Sequence, residues 1–169
     1  MKVDKTFYLK SYKVYKNIQA KFEQNGLFNN AGEYYYLSKC MDRNNLKGIN
    51  KIKSYIFWAL CGYGERPTYA LIISLEILLI FTIAYMFLGL NINGKIINYS
   101  ICFIFNLPMD NLILDFFYSL YFSIVTFTAV GYGDITPIGY SIVVSALEMV
   151  LGVTMVGLWT ATLARKIIR

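Results

Sequence analysis

The stretch that decides the fold is Thr-Phe-Thr-Ala-Val-Gly-Tyr-Gly-Asp, at residues 126–134. It follows a short apolar segment, residues 116–127, whose roughly twelve residues are too few to cross ~30 Å of hydrocarbon as a helix. Longer apolar runs lie on both sides, at residues 67–90 and 140–164, and each has about the twenty residues that a spanning helix needs. This order predicts two transmembrane helices with one re-entrant helix between them, for which Asp115 is a suitable N-cap.

The composition indicates a membrane protein with two regions. Of the 169 residues, 57% are hydrophobic and 15% are charged, which is too apolar for a soluble domain of this size. Twelve of the sixteen Lys and Arg residues lie before Pro67, so a basic, polar region precedes the apolar one. We therefore expect an all-α membrane protein that carries a polar N-terminal module.

The positions of the basic residues also predict the orientation. Fifteen of the sixteen lie before the first span or after the second, and only Lys95 lies between the spans. Loops rich in Lys and Arg are retained on the cytoplasmic side of a membrane. We therefore expect a multi-pass protein of the plasma membrane with both termini in the cytoplasm.

The N-terminal module, residues 1–46, is predicted to be a cytoplasmic helical hairpin. Aromatic and aliphatic residues recur at three- and four-residue intervals over residues 4–24, which is the period of one helix face. Asn25-Gly26 breaks the pattern, and Asn30 with Glu33 resembles a capping pair that opens a second helix. The hairpin resembles one tetratricopeptide unit, which would bury little alone and would need a partner, another subunit or further repeats.

Residues 47–66 connect the hairpin to the first span. Three lysines are interspersed there with Tyr, Phe and Trp, a mixture that suits a slide helix at the membrane surface as well as it suits a plain linker. The segment includes a Gly62-Tyr63-Gly64 triplet. Because neither a Thr-x-Val run nor a short apolar helix precedes it, we interpret this triplet as a turn into the first span.

The stretch from Thr128 to Asp134 resembles the selectivity filter of potassium channels, and residues 67–169 resemble the pore domain of two-helix prokaryotic potassium channels. The resemblance implies a potassium-selective homotetramer, with K+ as the permeant and filter-bound ion. Backbone carbonyls of four chains would replace the hydration shell of the ion. Gly131 and Gly133 would then allow a backbone conformation that a Cβ opposes. The implied filter residues are Thr128, Ala129, Val130, Gly131, Tyr132 and Gly133.

The same resemblance implies roles for residues around the filter. Tyr132 would point away from the pore axis and pack on Tyr121 and Phe122 of the pore helix, while Asp134 would anchor the outer end of the filter. In the second span Gly152 would be the gating hinge, although small residues in membrane helices also serve close packing, which is the simpler explanation for Gly157. The residues that would line the central cavity are Val153, Val156, Thr160 and Ala161.

Two positions depart from the family pattern. Ala129 stands where the family usually has Thr, whose hydroxyl completes the innermost ion site, so we expect weaker occupancy there with selectivity retained. Val125 stands where some bacterial channels have a Glu that binds the filter Asp, so Asp134 needs another donor.

Two carboxylates, Glu76 and Glu148, fall inside the predicted spans, where a charge is costly. Glu148 lies one helical turn before Gly152 and off the inferred pore-lining face, so a hydrogen bond behind the pore helix is expected. For both carboxylates, we favour the simpler interpretation of a protonated and satisfied group with no role in permeation.

Other functions account for less of the sequence. A non-selective cation channel with a cytoplasmic regulatory module should lack Tyr132 or the second filter glycine. A membrane-anchored interaction protein would use the hairpin but leave residues 128–134 without a role. We expect no enzyme, because the chain has no His and no recognisable nucleophile–base pair, and the dispersed basic residues do not predict nucleic-acid binding.

Overall fold

The computed structural model describes residues 5–92, 94–99 and 109–168. Within these ranges the chain is mainly helical. The α-helices are α1 (Lys5–Gln24), α2 (Phe28–Arg43), α3 (Gly48–Cys61), α4 (Pro67–Leu88), α5 (Met109–Phe127) and α6 (Ser141–Ile168), with a 3-10 turn at Gly62–Gly64. The strands are β1 (Leu90–Ile92), β2 (Lys95–Ile97) and β3 (Ile135–Pro137).

Two of the described helices are long and apolar enough to cross a membrane, α4 with 22 residues and α6 with 28 residues. They correspond to the predicted spans 67–90 and 140–164, and α6 continues further than expected at its C-terminal end. Only 17% and 22% of their most apolar windows are buried within the chain. A helix that is apolar on all sides needs an apolar environment, so lipid or other protein must cover these surfaces.

By its internal contacts the chain divides into two compact units, Met1–Ile73 with Leu158–Arg169, and Ser74–Gly157. Both long helices continue from one unit into the other. The first unit holds the N-terminal helices together with the C-terminal end of α6, and the second holds the segment that resembles a filter.

In the first unit, α1 and α2 form the predicted hairpin, with Phe22 stacked on Tyr34 at 5.3 Å between ring centroids. The predicted capping pair is wrong: α2 begins at Phe28, its N-cap is Leu27, and no side chain caps it. The tight turn before Leu27 starts the helix earlier, so that Asn30 already lies inside it. Glu33 instead forms an ion pair with Arg66 at 2.6 Å.

The connecting segment 47–66 is helical, because α3 covers most of it and the Gly62–Gly64 turn follows. Gly62, Tyr63 and Gly64 all have positive φ, of 52°, 57° and 83°. These three left-handed residues end α3 before α4 begins at Pro67, and two of them are glycines, which adopt this conformation without a Cβ clash. The interpretation of this triplet as a turn into the first span is confirmed.

The second unit has a small core in which Tyr85, Leu90, Phe122 and Ile135 are buried together. A three-stranded antiparallel sheet of order β2-β1-β3 contributes to it. The all-α prediction missed this sheet, because strands of three residues are too short to show a period-two pattern. In this sheet the chain that follows residues 128–134 is paired directly with the chain that follows α4.

Candidate functional site

Residues 128–134 form an irregular segment between α5 and β3. Every second residue has positive φ: 56° at Ala129, 59° at Gly131 and 81° at Gly133. The residues that alternate with them have negative φ. Reversing the sign of φ at every second residue turns successive peptide planes the same way, so that carbonyls can line one side of the segment. The predicted left-handed conformation of the two glycines is confirmed, and Ala129 adopts it at a cost of roughly 1–2 kcal/mol.

The first part of this segment is anchored by its amides to the C-terminal turn of α5. Ala129 N–H donates to the Thr126 carbonyl at 3.0 Å, and Val130 N–H donates to the Val125 carbonyl at 3.0 Å. The Thr128 hydroxyl donates to the carbonyl of Ile124 at 2.8 Å. The carbonyls of residues 128–133 receive no hydrogen bond within the part of the chain that the structure describes.

Asp134 has a hydroxyl donor on α5. A hydrogen bond from the Tyr121 hydroxyl to Asp134, followed by burial, raises the pKa of Tyr121 above its ordinary value. The sequence did not show which residue donates to Asp134, because Val125 has no polar side chain. Tyr121 was expected to support the filter by packing, and its hydroxyl adds a polar contact that the aromatic pattern alone did not indicate.

Phe122 and the filter residue Tyr132, which were expected to pack together, differ in burial within one chain. Phe122 is buried edge-to-face against Tyr85 of α4, with ring centroids 4.8 Å apart. Tyr132 is 71% exposed. The packing of Tyr132 on the pore-helix aromatics therefore remains a prediction for an assembly of several chains.

Gly152 lies where α6 crosses the end of α5. A Cβ built on Gly152 would overlap the Phe127 carbonyl oxygen and lie 2.7 Å and 2.9 Å from its carbonyl carbon and Cα. A Cβ on Gly157 would meet nothing within 4 Å. Close packing within the chain therefore explains the glycine at 152. From the sequence, this packing role was expected for Gly157 instead. The hinge role of Gly152 remains a prediction, and α6 is continuous through this residue.

Glu148 of α6, one helical turn before Gly152, is fully buried. Its carboxylate accepts hydrogen bonds from the Tyr85 hydroxyl on α4 and the Ser123 hydroxyl on α5, each at 2.5 Å. The expected hydrogen bond behind α5 is confirmed, and a single side chain connects three helices. By contrast, Glu76 is exposed on α4 and has no ion pair or hydrogen bond among the residues described.

Asp115 lies inside α5 and is not its N-cap, because the helix begins at Met109, seven residues before the predicted start at 116. The Asp115 side chain is buried and is bound by Lys95 Nζ at 2.6 Å and by the Tyr99 hydroxyl at 2.7 Å. Burial, followed by the hydrogen bond to Asp115, raises the pKa of Tyr99 to about 12. The sequence signal for this cluster was that Lys95 is the only basic residue between the two spans.

The residues predicted to line a central cavity fall into two groups. Val153 and Val156 are 57% and 42% exposed, and Thr160 is also exposed. Their spacing of three and four places them on one face of α6. Ala161 instead borders a cavity in the first unit, beside Thr162.

The C-terminal part of the chain is similar to a known protein family. Residues 95–169 match the family model described as "Ion channel". No curated protein and no solved structure matches the chain. The matched region includes α5, the 128–134 segment and α6, and it does not reach the N-terminal hairpin. The family match and the two apolar helices of spanning length together indicate an ion channel domain in a membrane protein.

Proposed function

We propose that the chain is the pore-forming subunit of a potassium-selective channel, in which four copies surround one axis and K+ flows passively down its gradient. The observation that carries this proposal is the alternation of φ along residues 128–134. A K+ ion gives up its water only where other oxygens replace it, and a row of inward-facing carbonyls does this. The free carbonyls of residues 128–133 are suitable oxygens.

Four copies are needed because one row of carbonyls cannot surround an ion. Within one chain Val130 and Tyr132 are 53% and 71% exposed, so the segment has no wall on its open side. Val153 and Val156 on α6 are exposed as well. A closed cyclic tetramer would cover the segment with its own copies and would place these valines around a central cavity.

The electrostatics of the second unit suit a cation. The C-terminal end of α5 comes directly before Thr128, and the carbonyl end of a helix carries a partial negative charge. Asp134 adds a carboxylate at the other end of the segment. Lys95, the only basic residue between the spans, is paired with Asp115. The charge of Lys95 is therefore neutralised, so this lysine would not repel K+ on the proposed extracellular side.

Ala129 favours a second candidate, a cation channel that discriminates poorly between K+ and Na+. Without the Thr hydroxyl, the innermost site has fewer oxygens than the family pattern provides. The carbonyls of Ala129, Val130, Gly131 and Tyr132 remain, and for this reason we place the selective channel first.

Uptake of radioactive rubidium into liposomes that contain the purified chain tests the proposal. The variant is Gly131→Ala, and the control is Gly139→Ala. Both glycines have similar φ, 59° and 57°, and a Cβ on either meets nothing within 4 Å. The backbone strain is therefore matched at about 1–2 kcal/mol, while only Gly131 lies in the proposed filter.

We expect rubidium uptake by the wild type and by Gly139→Ala, and uptake at the level of empty liposomes for Gly131→Ala. Wild-type uptake no faster than that of empty liposomes would overturn the proposal. Equal uptake by the two variants would remove residues 128–134 from the conduction path.

A further inference from the structure

A cavity of about 510 Å³ lies in the first unit, between α2, α3 and the C-terminal end of α6. Its volume falls within the range of small-molecule sites. Aromatic and aliphatic side chains form much of its wall, and three cationic side chains, Lys39, Lys53 and Arg165, border it with one acidic side chain, Asp42. The cavity therefore combines an apolar wall with an excess of positive charge.

The cations of this cavity lack sufficient acidic partners. Lys39 Nζ and the Arg165 guanidinium lie 5.7 Å and 5.6 Å from the centroid of the same ring, that of Tyr35. Arg165 pairs with Glu65 at 3.3 Å, whereas neither lysine has an ion pair among the described residues. Like charges gathered beside one ring repel each other, so a bound anion would stabilise this arrangement.

The position of the cavity along α6 favours a lipid. The 28 residues of α6 exceed the roughly 20 that cross the hydrocarbon core, so its C-terminal end, including Arg165, extends to headgroup level. On α3, Ile49, Ile52 and Ile56 are 71%, 61% and 51% exposed, and their spacing places them on one face. An exposed apolar face of this kind suits a membrane surface, where it would lie among the lipids.

We propose that this cavity binds one anionic phospholipid. Lys39, Lys53 and Arg165 would hold the headgroup phosphate, and the first part of an acyl chain would lie along Phe57 and Leu158. Binding needs the membrane setting but not K+ conduction. If α6 lines the pore, as the proposed function requires, a bound lipid would also hold the end of this helix against α2 and α3.

The test is native mass spectrometry of the full chain in a neutral detergent, which counts bound lipids. The probes are phosphatidylglycerol, zwitterionic phosphatidylcholine of the same chain length, inorganic phosphate and a nucleoside monophosphate. The variant is Lys39→Gln/Lys53→Gln. Its control is Lys47→Gln/Lys51→Gln, which removes the same charge from lysines that do not line the cavity. The single variant Lys53→Gln, at an exposed position, serves if the double variant does not fold.

We expect phosphatidylglycerol to bind at least tenfold more tightly than phosphatidylcholine. The cavity variant should lose at least tenfold of that affinity, and the control less than threefold. Equal losses in the two double variants, or equal binding of the two lipids, would overturn the proposal. Tighter binding of phosphate or of the nucleotide would also overturn it, in favour of a soluble anion. This experiment measures lipid binding and not conduction. If the lipid proposal fails, the proposed channel function is still tested separately by rubidium uptake.

Discussion

Gly152 of α6 lies so close to Phe127 of α5 that a Cβ on the glycine would overlap the Phe127 carbonyl oxygen. Thr128 follows directly in the chain. The position of α6 therefore constrains the first residue of the 128–134 segment through a single backbone contact. In the proposed channel, this contact would connect the gating helix to the inner end of the filter.

Gly152→Ala is the variant that probes this contact. The added methyl meets backbone atoms that cannot rotate away, and overpacking of this kind costs about 1–3 kcal/mol. We expect a lower thermal unfolding midpoint and several-fold slower rubidium uptake. Gly157→Ala is the matched control on the same helix and should behave like the wild type. An unchanged midpoint for Gly152→Ala with altered gating would favour the hinge role over the packing role.

The Glu148 side chain is expected to stabilise the protein as a hydrogen-bond acceptor. Glu148→Ala leaves the Tyr85 hydroxyl without its acceptor and leaves a cavity, which should cost about 2–4 kcal/mol. The Ser123 hydroxyl can still donate to the Leu78 carbonyl, at 3.2 Å. Glu148→Gln should cost less than about 1 kcal/mol, because a rotated hydroxyl can accept from the amide.

Glu76→Ala provides the control for Glu148, since Glu76 is a carboxylate on the other span with no partner among the described residues. Thermal unfolding in detergent measures all three variants. A similar loss of stability in Glu76→Ala and Glu148→Ala would contradict the role assigned to the buried hydrogen bonds.

Tyr121→Phe tests the donor to Asp134. Removing the hydroxyl leaves Asp134 without this hydrogen bond, so the outer end of the proposed filter should be held less firmly. We expect a several-fold lower rubidium uptake with little change in the unfolding midpoint. Tyr118→Phe, one turn earlier on α5, should be neutral. If both variants lower uptake equally, the hydroxyl bond to Asp134 is not the cause.

Ala129 allows the predicted weak inner site to be tested directly. In crystals soaked in K+, the site nearest the cytoplasm should be less occupied than the middle sites. Ala129→Thr should raise its occupancy by supplying a hydroxyl. Similar occupancy at the inner and middle sites of the wild type would show that the Ala129 carbonyl suffices.

Much of the second unit was predictable, because its signals are local. The glycines at 131 and 133 indicate positive φ by their lack of a Cβ, and long apolar runs indicate α4 and α6. The contact of Gly152 with Phe127 was not predictable, since it depends on how two helices cross. The sequence shows that both positions hold small or apolar residues, but it does not show which surfaces meet.

The errors also have local causes. Asp115 has the chemistry of an N-cap, but its carboxylate is used by Lys95 and Tyr99, which belong to another part of the chain. Asn30 and Glu33 have the spacing of a capping pair, but the tight turn before Leu27 starts α2 earlier. In both cases the residue types permit capping and another role equally. A long-range contact or a nearby turn determined which role the residues have in the structure.

The central claim is that residues 128–134 pass K+ in preference to Na+. The reversal potential of the purified chain in a planar bilayer, with K+ on one side and Na+ on the other, measures this preference directly. We predict a reversal potential close to the K+ equilibrium value, and a loss of current in Gly131→Ala but not in Gly139→Ala. A reversal potential near zero would contradict potassium selectivity and would support the non-selective cation channel instead.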